Sequence, residues 1–226
     1  MVRLTIDGKV VEAKKGTSIL HAAESVGIKI PTLCYIKDLL PDGSCRMCMV
    51  EIENRGRTKM ETACTAQVAE GLVVTTNSEK VRNARRNILD MLLSNHKTDC
   101  FSCPSNGDCK LQELCFEYGI ERTTYSGEQT DLPIDDSNPF FTYNPNLCIL
   151  CHRCVNTCHK VVGRGAIDTM ERGFDSVIGT PFHIDWADTN CESCGNCVQA
   201  CPTGALTMKR RKNYRKYQID KQVLTT

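Results

Sequence analysis

Hydrophobic and polar positions alternate from the start of the chain. VRLTI and KVVEA read as strands over Val2–Ile6 and Lys9–Ala13, and Asp7-Gly8 between them is a strong hairpin signal. The period then lengthens to that of a helix. Thr17 or Ser18 can cap a run through Ile19, Leu20, Ala22, Ala23 and Val26, and Gly27 can close it in the left-handed conformation. Met47–Glu53 and Thr58–Thr62 alternate again around Asn54-Arg55-Gly56, and Leu72–Thr75 adds one more strand. Residues 1–77 therefore predict a small α+β unit compatible with a β-grasp arrangement.

Residues 78–120 change to helical spacing. Ser78 is the predicted N-cap, and Val81, Ala84, Ile88 and Met91 or Leu92 are expected on one face, ending near Asn95. KLQELCFEYG predicts a second short helix stopped by Gly119. Residues 121–139 are polar and rich in turn formers, a linker or a loop that hugs the surface. Residues 140–208 form a third unit dominated by cysteines. Residues 209–226 are a basic tail with Tyr214 and Tyr217 interleaved. Such a tail could bind RNA, but a solvated end or a docking strap for an acidic partner subunit fits better.

Composition sharpens the picture. The chain has 226 residues, 16 cysteines, 6% aromatic residues and a single tryptophan, Trp186. So many thiols and so few aromatics predict small units stapled by disulfides or metals rather than one large core. The start, after Met1, is a strand pattern and not a basic segment leading into an apolar run, so no signal peptide is expected. No apolar stretch is long enough to span a bilayer. A cytoplasmic location follows as the expectation, and there a cysteine framework holds metal rather than disulfides. A net charge of +1 gives no electrostatic reason to expect a nucleic-acid or membrane partner.

The cysteines fall into sets. CILCHRCVNTC at 148–158 and CESCGNCVQAC at 191–201 repeat the spacing C-x2-C-x2-C-x3-C, that of bacterial-type ferredoxins carrying two [4Fe–4S] clusters. Three thiolates on a tight loop grip three corners of a cubane, and the fourth cysteine is expected to begin a helix leading to the other cluster. One set is then Cys148, Cys151, Cys154 and Cys201; the other is Cys158, Cys191, Cys194 and Cys197. Pro202 follows Cys201 as the motif expects, whereas His159 follows Cys158. A pair of zinc knuckles is the competing reading.

A third set, Cys34, Cys45, Cys48 and Cys64, keeps the C-x2-C centre of plant-type [2Fe–2S] sites with a longer first gap; a structural zinc site is its alternative. The fourth is His96, Cys100, Cys103 and Cys109. Alone it reads equally well as a Cys3His zinc site. Between a [2Fe–2S] unit and a two-cluster ferredoxin it reads as a [4Fe–4S] site with one histidine ligand, because zinc carries no electrons and a relay needs an intermediate stop. A neutral imidazole in place of a thiolate raises the potential. Cys115 is left over and is expected to be a small buried apolar residue. His152 and His159 are expected to affect polarity or to be exposed, and His21 and His183 carry no signal.

In this order the sets resemble the N-terminal iron–sulfur region of the large peripheral subunit of respiratory complex I and the same region of multisubunit [FeFe] hydrogenases. Arg172, Gly173, Phe174 and Asp175, and Leu111-Gln112 after Cys109, also look like features of that family. As a chain ending at Thr226, without a molybdopterin-type extension or a hydrogenase domain, it is most similar to the diaphorase small subunit of NAD-linked [NiFe] hydrogenases, or to a bifurcating-hydrogenase subunit lacking its catalytic domain. The resemblance implies one [2Fe–2S] and three [4Fe–4S] clusters. It also implies a flavoprotein partner that oxidises NAD(P)H, a hydrogenase or formate dehydrogenase catalytic subunit, and possible exchange with soluble ferredoxin. No G-x-G-x-x-G or P-loop pattern occurs, so no nucleotide or flavin site is expected in the chain itself. The rival of another class is a zinc-binding scaffold or nucleic-acid-binding protein.

Overall fold

A computed structural model describes residues 1–127 and 129–209; all of the basic tail beyond Lys209 lies outside the described residues. The first hairpin is β1 (Val2–Ile6) and β2 (Lys9–Ala13). Asp7 (φ 47°) and Gly8 (φ 80°) supply the two left-handed residues that a tight hairpin turn needs. Helix α1 (Ile19–Ser25) starts at Ser18, whose Oγ accepts from the His21 N–H at 3.3 Å. Strands β3 (Met49–Asn54) and β4 (Arg57–Thr62) turn at Arg55 (φ 50°) and Gly56 (φ 75°). Strand β5 (Val73–Thr75) runs parallel to β1 and antiparallel to β3, completing a sheet ordered β2-β1-β5-β3-β4. Ile19, Leu20, Ala22 and Ala23 share one core with Leu4, Ile6, Val11, Val50, Ile52 and Val74 of the sheet. A mixed sheet with one helix across its face is the β-grasp arrangement.

Helix α2 (Glu79–Ser94) is capped by Ser78, whose Oγ accepts from the Val81 N–H at 3.2 Å, and ends at Asn95. Its buried face departs from the expected one. Val81, Arg85, Leu89 and Leu93 are buried, Ile88 and Leu92 are half-buried, and Met91 is 53% exposed. A strict four-residue step keeps one stripe over this two-sided contact, and it puts an arginine inside. Helix α3 (Lys110–Tyr118) stops at Gly119 in the left-handed region (φ 67°).

The third unit has four strands of three residues each: β6 (Phe141–Tyr143), β7 (Asp168–Met170), β8 (Val177–Gly179) and β9 (Leu206–Met208). β6 pairs with β9 and β7 with β8, both antiparallel. Two short helices, α4 (Arg153–Asn156) and α5 (Asn196–Ala200), follow the cysteine loops. Trp186 packs against Phe141 and Tyr143, with ring centroids 5.2 and 5.4 Å away.

Between the first and third units lies a middle core drawn from the whole chain. Leu33, Cys34, Cys45 and Met47 meet Leu89 and Leu93 of α2, Leu111, Leu114, Cys115 and Tyr118 of α3, and Ile149 and Cys151. Residues 121–139 run along the surface, tied down at several points. Thr123 and Thr124 bond Asp90, Thr130 bonds Asn95, Leu132 exchanges two bonds with Asn146, and Asp135 pairs with Tyr143. Among the described residues no helix is long and apolar enough to cross a membrane.

Candidate metal centres

The two ferredoxin-like loops have the same backbone. Leu150 (φ 50°) and His152 (φ 59°) in the first correspond to Ser193 (φ 55°) and Gly195 (φ 75°) in the second, all left-handed. Non-glycine residues adopt this conformation at a cost, which only a closely determined loop sustains. The geometry turns backbone N–H groups onto sulfur: Leu150 donates to Cys148 Sγ and Ser193 to Cys191 Sγ, each at 3.4 Å. The third cysteine of each loop, Cys154 or Cys197, lies within the short helix, and the fourth comes after it. Cys158 lies in a π-helical turn (Thr157–Val162), and Cys201 is the C-cap of α5. The helix thus runs between the third and fourth cysteines and does not begin at the fourth, because an x3 gap is one helical turn.

That turn carries each fourth cysteine to the other loop. Cys201 lies close enough to Cys148, Cys151 and Cys154 to help push their thiols up, with burial the larger cause; Cys148 reaches about 11 and Cys151 about 12. Cys197 is pushed up to about 12 by burial, then by Cys191, Cys194 and Cys158. Those four side chains line one small cavity with Phe141, Ile167 and Trp186.

In the first unit the sulfurs pair. A hydrogen bond from Cys45 holds Cys34 down at about 5, and the same contact pushes Cys45 up. Cys48 is lowered and Cys64 raised by an equivalent bond between them. The Cys34 N–H also donates to Cys45 Sγ at 3.4 Å. Two pairs of close sulfurs suit two irons that each take two thiolates.

Burial raises the Cys109 thiol, and the neighbouring Cys103 and Cys100 add to the rise. His96 follows α2, is 7% exposed, and has no hydrogen-bond partner at Nδ1. Burial lowers its pKa, which favours the neutral imidazole that ligates metal. A buried, unpartnered ring nitrogen is costly unless something binds it. Cys103 also meets the third unit: a Cβ on Gly204 would stand 2.7 Å from Cys103 Sγ. All sixteen cysteines are free thiols, although several lie side by side, and Cys194 alone is exposed. Unpaired clustered thiols, N–H···S bonds and an orphaned imidazole fit iron–sulfur clusters.

The middle core brings together residues of three of the sets. Cys151 borders the same middle core as Cys34 and Cys45, and Cys109 packs against its edge. The first set therefore has two neighbouring sets rather than one.

Comparison with known proteins identifies three iron–sulfur segments along the chain. Residues 1–79 match the family of 2Fe-2S iron-sulfur cluster binding domains. Residues 85–124 match the NADH-ubiquinone oxidoreductase-G iron-sulfur binding region, and residues 138–207 the ferredoxin-like domain of NADH-quinone oxidoreductase subunit 3. A chain of the crystal structure of an NAD+-reducing [NiFe]-hydrogenase in the H2-reduced state superposes with a TM-score of 0.84 at 30% identity, covering 92% of this chain and 87% of that one. The chain belongs to this iron–sulfur family of NADH-quinone oxidoreductases and NAD-linked hydrogenases. Its members include NADPH-Fe(3+) oxidoreductase subunit alpha of Geobacter sulfurreducens, 44% identical over 209 residues (92% of this chain, 24% of the relative). NADP-reducing hydrogenase subunit HndD of Solidesulfovibrio fructosivorans is 40% identical over 211 residues (91% of this chain, 36% of the relative). The chain thus spans about a quarter to a third of these curated relatives.

Within the family frame, Cys115 stands apart. It is 7% exposed among Leu111, Leu114 and Leu89, and burial pushes its thiol up to about 11. Cys115→Ala is expected to cost about 1 kcal/mol of stability and leave iron content unchanged; thermal unfolding and iron per chain check this. The histidines outside the sets have other partners. His159 Nε2 meets the Ile167 carbonyl at 2.9 Å, His21 the Tyr35 hydroxyl at 2.5 Å and His183 the Glu171 carboxylate at 2.9 Å. His152 supplies a left-handed residue of the loop.

Sequence reasoning missed Arg85. It is 3% exposed; Nη1 donates to Tyr118 Oη at 3.0 Å and Nη2 to the Met49 carbonyl at 2.8 Å, while Nε has no partner. The signal was present in the i+4 series Val81, Arg85, Leu89, Leu93.

Proposed function

We propose that the chain is an electron-relay subunit holding one [2Fe–2S] cluster and three [4Fe–4S] clusters. Cys34, Cys45, Cys48 and Cys64 hold the first. His96, Cys100, Cys103 and Cys109 hold the second. Cys148, Cys151, Cys154 and Cys201 hold the third, and Cys158, Cys191, Cys194 and Cys197 the fourth. When bound, such clusters supply one-electron redox chemistry. The protein's part is to fix the sulfurs and exclude water. Phe141, Leu147, Ile167 and Trp186 wall the ferredoxin pair, while Leu33, Met47 and Ile149 pack with Cys34, Cys45 and Cys151 in the middle core. Exposed Cys194 makes the fourth set the most open face for a partner.

What best supports this reading is the proximity of Cys201 to Cys148, Cys151 and Cys154, and the cavity that Cys158 shares with Cys191, Cys194 and Cys197. A pair of independent zinc knuckles has no use for such an exchange. The partners we infer are a flavoprotein that oxidises or reduces NAD(P)H and a hydrogenase, with formate dehydrogenase the closest alternative, in the cytoplasm; in a bifurcating complex soluble ferredoxin is a further redox partner. No acid–base pair or nucleophile among the described residues suggests catalysis by the chain itself.

Iron, acid-labile sulfide and zinc on anaerobically purified protein test it. About fourteen irons per chain and no zinc are expected, from the iron contents of the cluster types. About four irons fewer, with one zinc, would make the His96 set a structural staple. A colourless zinc protein would overturn the whole reading.

A further inference from the structure

Arg85 is a buried cation with no anion. None of the ion pairs among the described residues includes it. Its partners, a tyrosine hydroxyl and a peptide carbonyl, are neutral. Glu51, two residues along β3 from Met49, is already engaged by Ser78 Oγ at 2.6 Å and Lys80 Nζ at 3.5 Å. Burying a lone guanidinium costs several kcal/mol unless a negative charge compensates it. Through the Met49 carbonyl it is tied to the residue that directly follows Cys48 of the first cysteine set.

We propose that Arg85 is the built-in counter-charge of the group held by Cys34, Cys45, Cys48 and Cys64, and that it makes that group easier to reduce. The inference rests on the cluster reading above. A [2Fe–2S] core held by four thiolates is net negative and gains another negative charge on reduction. Backbone and side-chain bond lengths keep the guanidinium within about 12 Å of Cys48 Sγ. At that bound and an effective dielectric of about 20, one unit charge changes the reduction equilibrium constant by about tenfold. A guanidinium suits the position, because its planar fork reaches both Tyr118 Oη and the Met49 carbonyl.

The test is a redox titration of the full chain followed by electron paramagnetic resonance, which resolves the [2Fe–2S] signal from the others. Arg85→Gln is expected to lower the reduction constant of that cluster by about tenfold, 59 mV for one electron, and to leave the ferredoxin pair within twofold. Arg85→Lys keeps the charge and is expected to stay within threefold of the wild type. Tyr118→Glu keeps the arginine but sets a carboxylate against it, and it should reproduce the glutamine shift if Arg85→Gln does not fold. An unshifted [2Fe–2S] signal in Arg85→Gln or Tyr118→Glu overturns the proposal and leaves Arg85 as packing between β3 and α3. Equal shifts at every cluster overturn it as well. A wild-type protein with no [2Fe–2S] signal overturns the cluster reading itself, an outcome distinct from unshifted variants.

Discussion

Stripping iron from the protein with an anaerobic chelator is expected to unfold residues 138–208 while the five-stranded sheet survives. The two units differ in what fills their cores. The sheet unit buries Leu4, Ile6, Val11, Ile19, Leu20, Val50, Ile52, Leu72 and Val74, each contributing about 1.5–3 kcal/mol when fully buried. Cys48 and Cys64 are the only candidate ligands in that core. In the third unit every strand has three residues. Cys154 and Cys197 lie inside its core, with Cys148, Cys158, Cys191 and Cys201 packed against it. Such a unit has too little apolar area to offset chain entropy, so metal binding is most of its folding free energy. Limited proteolysis with mass spectrometry, alongside far-ultraviolet circular dichroism, reads this out. Cleavage should concentrate between residues 138 and 208. Equal protection of both halves after complete iron removal would contradict the assignment of those cysteines.

His96→Ala is expected to lose about four irons per chain, with the other clusters retained. Cys100, Cys103 and Cys109 then offer three ligands, and a buried methyl group replaces the orphaned Nδ1. His96→Cys should keep the iron and lower that cluster's potential by roughly 100 mV, because a thiolate adds negative charge to the site. Loss of the His96 set should not isolate the first cluster. Cys151 and Cys34 border one middle core, so stopped-flow reduction of the ferredoxin pair through the first unit should persist in His96→Ala. If it stops, the His96 set is an obligatory intermediate and the route beside Cys151 is not used.

Local rules carried much of the fold. Asp7-Gly8 and Arg55-Gly56 named their turns through left-handed φ angles, Ser78 named one helix start, Thr17 or Ser18 bracketed the other, which the structure places at Ser18, and Gly119 named a helix end. These signals act over a few residues, so a sequence displays them. The cysteine sets were legible for a related reason: the spacing within a loop is set by the cluster that the loop must grip. Long-range features were hidden. Nothing near Phe141 announces that it will pair with Met208. Nothing near Cys151 announces Cys34. The buried face of α2 was misread because Ala84, Ile88 and Met91 made an apolar stripe of equal quality, and burying Arg85 instead depends on what lies opposite, at Met49 and Tyr118.

The three family matches sit end to end along the chain, which invites the view of interchangeable parts. The middle core limits that view. Leu33 and Met47, Leu89 and Leu114, and Ile149 come from three different matched segments and bury one another. Excising any one segment as a stand-alone ferredoxin would leave raw apolar surface on both pieces. Recombination between relatives should therefore succeed only when all three segments travel together. The inheritable unit is the ensemble, and a designer seeking a shorter redox adaptor would have to repack this seam before moving either cut.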